Sequence, residues 1–135
     1  MTITIIIPAL NEEKYIPQTL ASIRNLDRQP DEIIVVDANS TDKTAQLAKA
    51  AGARIITVDR RSIGYSRQKG LEAATGDIVV YTDADTILPT DWLSTILTLM
   101  EKRGAPDDEI KMIRAVRDMY NEKKNRMNPG KFRMG

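Results

Sequence analysis

The sequence predicts an α/β protein with a mostly parallel sheet, three-layered and Rossmann-like, and three observations carry that prediction. Short β-branched runs recur at Thr2–Ile7, Glu32–Asp37, Ala53–Val58 and Ile78–Tyr81. Amphipathic stretches of about ten to fifteen residues separate them, the alternation that specifies βαβ units with right-handed crossovers. Polar residues follow directly on the runs: Asn11 and Glu12, Asp37 and Asn39, Arg60 and Arg61, Asp83 and Asp85. In a doubly wound sheet those C-terminal ends share one crevice.

Each element has a local cause. Thr2–Ile7 is β-branched almost throughout, as a central parallel strand is, and the reading ends it at Pro8. Pro17 turns Ile16 away from helix and starts one that buries Leu20 and Ile23, broken at Gln29-Pro30-Asp31. After Glu32–Asp37, the cap formers Ala38-Asn39-Ser40-Thr41-Asp42 open a helix with apolar Ala45, Leu47, Ala48 and Ala51, closed by Gly52. Ala53–Val58 is the third strand, and Ile63–Ala74 a helix closed by Gly76. Beyond the fourth strand, Thr90 caps a helix whose Leu93, Ile96, Leu97 and Met100 form one stripe, stopped by Gly104.

Residues 1–104 thus form one domain. Residues 105–127 read as a C-terminal amphipathic helix, acidic at Asp107-Asp108-Glu109 and basic at Lys123-Lys124-Asn125-Arg126, in the order that suits the helix dipole. Its apolar face packs on the sheet or on a second subunit as a homodimer, and its basic balance also suits peripheral contact with a membrane. Residues 128–135 read as a loose tail.

Composition removes several functions. The 135 residues carry a net charge of +1, so no overall field draws nucleic acid. There is no cysteine and no histidine, hence no disulfide, thiol nucleophile, zinc finger or imidazole base. Thr2–Ile7 lacks the basic flank of a signal peptide, and no apolar run has membrane-spanning length. A cytoplasmic protein, or one at the inner face of the membrane, is the expectation. Neither G-x-G-x-x-G nor G-x-x-x-x-G-K-S/T is present, which argues against a dehydrogenase or a P-loop nucleotidase.

Asp83 and Asp85 supply the chemistry. At i and i+2 beyond a strand, two carboxylates project together in extended backbone and suit Mg2+ or Mn2+, which complete their shells with water and phosphate. A diphosphate would be neutralised by such an ion, with Arg67 beside it. Taken alone, Asp-Ala-Asp is also an ordinary solvated turn, Asp37 a helix cap and Arg67 a solvated helix charge. Trp92 reads as a core or interface anchor rather than a sugar platform.

Four segments in order resemble the family 2 glycosyltransferases, which have the GT-A nucleotide-sugar fold. Ile5-Ile6-Ile7-Pro8-Ala9-Leu10-Asn11-Glu12-Glu13 is similar to the opening I-I-P-x-x-N-E, and Val35-Val36-Asp37-Ala38-Asn39-Ser40-Thr41-Asp42 to V-V-D-x-S-x-D. Gly64-Tyr65-Ser66-Arg67-Gln68-Lys69-Gly70 is similar to G-x-x-x-A-R-N-x-G, with Ser66 for Ala and Gln68 for Asn. Gly76 to Asp85 is similar to G-D-x-I/V-x-x-x-D-x-D. The match runs from Thr2 to about Met100, the donor-binding half, so the resemblance implies a truncated GT-A domain. It implies that Pro8, Ala9 and Glu12 line the nucleoside pocket, that Asp37 bonds the base, and that Arg67 lies near base or diphosphate. It further implies Asp83 at the ribose and Asp85 on Mn2+ or Mg2+. The expected ligand is a UDP-sugar or GDP-sugar, and the acceptor is unknown. No catalytic base is assigned, because no family pattern is matched beyond Met100. The alternative is a module of the same ancestry that binds nucleotide or a partner chain without turnover.

Overall fold

A computed structural model describes residues 1–102. The helix expected over 105–127, its dimer or membrane contact, the tail over 128–135 and the stop at Gly104 lie outside the described residues. Within them the chain forms β1 (Ile3–Ala9), α1 (Ile16–Arg24), β2 (Glu32–Asp37), α2 (Thr44–Ala50), β3 (Arg54–Thr57), α3 (Ile63–Ala73), β4 (Ile78–Tyr81) and α4 (Trp92–Lys102). The four strands are parallel, in the order β3-β2-β1-β4. The α/β expectation holds, with helices on both faces.

The two faces follow from the alternation of side chains along a strand. Ile3, Ile5, Ile7 and Ala9 point to one face with Val35, Ile78 and Val80, where they meet Leu20 and Ile23 of α1, Ala48 of α2 and Leu93, Ile96 and Met100 of α4. Ile6 points to the other with Ile34, Val36, Val79 and Tyr81, under α3. All seven residues of β1 are buried, which is why its sequence is apolar rather than alternating. Trp92 packs against the first cluster, as an anchor does.

The strand does not stop at Pro8; β1 continues through Ala9. Even-numbered residues of β1 pair towards β4, since Ile78 N–H donates to the Thr2 carbonyl and Thr82 N–H to the Ile6 carbonyl. Odd-numbered ones pair towards β2, as Asp31 and Ala38 donate to Ile3 and Ala9. The donor that Pro8 lacks therefore faces the β4 side, at a level where β4 has already ended. Pro8 closes one ladder and leaves the other running.

Three helices differ from the reading at a boundary. Ile16 is itself helical, because Pro17 falls in the first turn of α1, where its missing N–H is not needed, and α1 ends at Arg24, before Gln29-Pro30-Asp31. Gly52 does end α2, with φ of +92°. Gly76, however, caps nothing: α3 ends at Ala73, and Gly76 lies so close to β1 that a Cβ would come within 2.7 Å of Thr4 N. Likewise α4 begins at Trp92, so Asp91 and not Thr90 precedes it, while the Thr90 carbonyl accepts from Asp27 N–H.

Carboxylates close the N-terminal ends of the strands. Asp77 accepts from the backbone N–H and hydroxyl of Thr2 at 3.0 and 3.1 Å, and Asp31 from Ile3 N–H at 2.7 Å. Glu32 accepts from the Thr4 hydroxyl and from both the N–H and hydroxyl of Thr75. Partial burial pushes the Glu32 carboxyl up, but these three bonds and the Arg54 charge outweigh it and leave it below the usual range. Asp77 is likewise lowered, by the two Thr2 bonds.

Two stability outcomes follow. Gly76→Ala loses about 2 kcal/mol, because the nearest neighbour is backbone and cannot swing aside, and an unchanged urea midpoint would contradict the close approach. A lowered folded pKa stabilises above the unfolded value of about 4 and is lost as pH falls through the folded value. The urea midpoint therefore falls on acidification below about pH 4, and Glu32→Gln makes that fall shallower while costing about 1 kcal/mol at pH 7. Equal pH slopes for the two proteins would rule Glu32 out.

Candidate functional site

The strand order creates the site. The chain winds from β1 outward to β2 and β3, then returns to lay β4 on the opposite side of β1. The strand order reverses at β1, and an open sheet binds ligands at the C-terminal ends of the strands beside such a reversal. The β1–β4 register ends with Ile6 beside Tyr81, and Asp83 follows two residues further on. On the other side, Ala9 stands opposite Asp37. Pro8, Ala9, Asp37 and Asp83 thus lie at or just beyond the ends of three adjacent strands.

The β1 and β2 exits are locked to each other. Ser40 N–H donates to Asp37 Oδ2 at 3.1 Å, and its hydroxyl donates to Asp37 Oδ1 while accepting from Asn11 N–H at 2.8 Å. Thr41 N–H donates to Asn11 Oδ1 at 2.9 Å, and Glu12 N–H to the Thr44 hydroxyl at 2.8 Å. Asn11 and Asn39 both adopt left-handed backbone, φ of 52° and 58°, a conformation that a short polar side chain tolerates. Asp37 is 4% exposed and Glu12 3% exposed, so both carboxylates are built into this loop pair rather than solvated. Asp42 supports it: burial raises its carboxyl, but bonds from Thr44 and Glu13 N–H outweigh that and lower it.

Arg67 approaches the end of β4 from α3. Ser66 and Gly70 form the buried contact of that helix; a Cβ at Gly70 would come within 2.6 Å of Ile6 Cγ2. Ser66, directly before Arg67, is 2% exposed. Arg67 lies with its guanidinium carbon 5.5 Å from the centre of the Tyr81 ring, at the end of β4. Arg60 stacks on Tyr65 at 4.5 Å, on the β3 side of the molecule.

Asp83 and Asp85 do not share an extended segment. β4 ends at Tyr81, and Ala84 and Asp85 form a turn. Asp83 is 3% exposed and Asp85 half-buried. Among the described residues, no three Asp, Glu, His or Cys side chains gather into a ready-made metal cage. Two carboxylates without cysteine or histidine fit a hard cation that keeps water and phosphate in its shell, as Mg2+ and Mn2+ do, and offer nothing to a soft one. The residues present therefore suit the expected ion as part of its ligand set.

Three residues of this site were not singled out from the sequence for it. Ser40 bridges the two loops, and Thr19 and Ser22 bond the segment after β4 from α1: the Thr19 hydroxyl donates to the Ala84 carbonyl at 2.9 Å, and Leu88 N–H donates to the Ser22 hydroxyl at 3.0 Å. Ser40→Ala removes an acceptor from Asn11 N–H and a donor from Asp37, so the Asn11 amide exchanges at least tenfold faster and stability falls by about 1 kcal/mol. Unchanged exchange at Asn11 would mean the loops are held otherwise.

Comparison with known proteins agrees with this geometry. The crystal structure of glucosyl-3-phosphoglycerate synthase from Mycobacterium tuberculosis in complex with Mn2+, UDP and glucosyl-3-phosphoglycerate superposes with a TM-score of 0.65 at 34% identity, covering 73% of this chain and 39% of that one. TarS of S. aureus in complex with UDP-GlcNAc superposes with a TM-score of 0.68 at 27% identity, over 76% of this chain and 32% of that one. In sequence, a glucosyl-3-phosphoglycerate synthase of Mycobacterium tuberculosis is 41% identical over 97 residues, which are 65% of this chain and 30% of the relative. The chain thus spans about a third of the length of the curated relatives it matches. The model of Glycosyl transferase family 2 matches residues 4–134, reaching well past Met100, and the chain belongs to that family.

Proposed function

We propose that this chain binds a nucleoside-diphospho-sugar, a UDP-sugar in preference to a GDP-sugar, through a divalent ion held by Asp85 and Asp83, as the donor-binding part of a glycosyltransferase. The observation that carries the reading is the crevice beside β1, where Pro8, Ala9, Asp37 and Asp83 stand at neighbouring strand ends in a member of family 2. UDP is favoured because the related structures were obtained with UDP or UDP-GlcNAc.

The residues divide the work by chemistry. Pro8 and Ala9 form an apolar wall for the nucleoside, with Glu12 behind it. Asp37 accepts an N–H of the base: Ser40 takes one bond on each carboxylate oxygen and leaves further lone pairs. Arg67, anchored against Tyr81, offers its charge to the diphosphate or the base. Asp83 contacts the ribose and shares the ion with Asp85. When bound, the ion supplies Lewis-acid stabilisation of the departing nucleoside diphosphate. Transfer needs the acceptor held as well as the donor. No base is assigned among the described residues, and the acceptor stays unspecified.

Calorimetric titration with UDP and with GDP, each with and without Mn2+, on wild type and Asp85→Asn tests the reading. The expected outcome is Mn2+-dependent binding of UDP, weaker binding of GDP, and at least a tenfold loss in the variant. Failure of both nucleotides under every condition would leave a non-binding module of the same ancestry, and tighter binding of GDP would replace the base assignment alone.

A further inference from the structure

We propose that Thr19 and Ser22, two hydroxyls one turn apart on α1, are positioning residues that set the direction of the Asp83–Asp85 segment and so govern its affinity for the divalent ion; this rests on the donor-site reading above.

Between Tyr81 and Trp92 the chain has neither strand nor helix, so its backbone groups need partners from elsewhere. Thr19 supplies one as donor, to the Ala84 carbonyl at 2.9 Å. Ser22 supplies another as acceptor, for Leu88 N–H at 3.0 Å, and its own proton goes to the Thr19 carbonyl at 2.7 Å. A hydroxyl can do both at once. Thr19, Ser22, Ala84 and Leu88 are all buried, so water does not compete for these bonds. Only the Ser22–Thr19 contact is the local back-bonding that helical serines commonly make; Thr19 and Ala84 are 65 residues apart.

The consequence falls on Asp85. The Ala84 carbonyl and the Asp85 nitrogen belong to one planar peptide unit. Fixing the carbonyl against α1 fixes the plane from which the Asp85 backbone departs, and Leu88 fixes the far end of the same loop. Asp83 lies on the other side of Ala84, where Thr82 N–H still bonds β1. The two carboxylates thus leave a segment held on both sides by long-range bonds, although neither lies in a regular element. An ion that takes only two ligands from the protein depends on that preorganisation.

The test compares wild type, Thr19→Val, Thr19→Ser and Ser22→Ala. The readouts are UDP affinity with and without Mn2+ and the thermal midpoint of the free protein. Thr19→Val is expected to reduce the enhancement by Mn2+ about tenfold, a larger loss than that of metal-free UDP affinity, with Thr19→Ser restoring it. Ser22→Ala is expected to act in the same direction, and it carries the comparison with Thr19→Ser if the valine variant does not fold. An unchanged Mn2+ enhancement in the folded variants would overturn the proposal. So would an equal loss of both affinities in step with the thermal midpoint, which is what mere packing predicts. Wild type that binds no nucleotide would instead sink the donor-site reading, and this inference with it.

Discussion

Pairing β4 to the free side of β1, after β2 and β3 have filled the other, reverses the strand order at β1 and sets the ends of β1, β2 and β4 side by side. The candidate site residues lie at or just beyond those ends. The pairing is stabilised by apolar side chains on both faces of β1, since all seven of its residues are buried. It is also limited in length: Thr82 makes the last bond to Ile6, and Pro8 has no N–H to extend the ladder. The β1–β4 register stops at Tyr81, two residues before Asp83.

The two ends of the sheet use their acids differently. At the N-terminal end Asp31, Glu32 and Asp77 are spent on neighbouring backbone and hydroxyl donors, where they tie the strand starts together. At the C-terminal end Asp37 is oriented by Ser40, and the loop after β4 is held through its backbone by Thr19 at Ala84 and by Ser22 at Leu88. Anchoring a loop by its main chain leaves its acids to be aimed by the backbone.

Much of this was legible in the sequence. The β-branched runs gave four strands, the alternation gave the parallel sheet, and the four motif segments gave the family that the comparisons bear out. What sequence could not carry was long-range and small. Gly76 sits after a helix, where a glycine usually caps, yet it serves the close approach of Thr4, seventy-two residues earlier. Pro8 reads as a terminator because the direction of its missing donor depends on which neighbour is still present. The i, i+2 spacing of Asp83 and Asp85 implies an extended segment, but the chain turns at Ala84, whose carbonyl accepts from the Thr19 hydroxyl. Serine and threonine inside a helix carry no mark of such a role; their partners exist only once the chain has folded.

The central claim is that the metal and nucleotide gather at the crevice between the ends of β1 and β4. Paramagnetic broadening of backbone amides by Mn2+ in the presence of UDP tests it most directly. The account predicts loss of signal at Asp83, Ala84 and Asp85 and at Ala9 and Leu10, with Thr2, Asp31 and Asp77 at the far end unaffected. Broadening centred on that far end, or spread evenly over the exposed carboxylates, would contradict it.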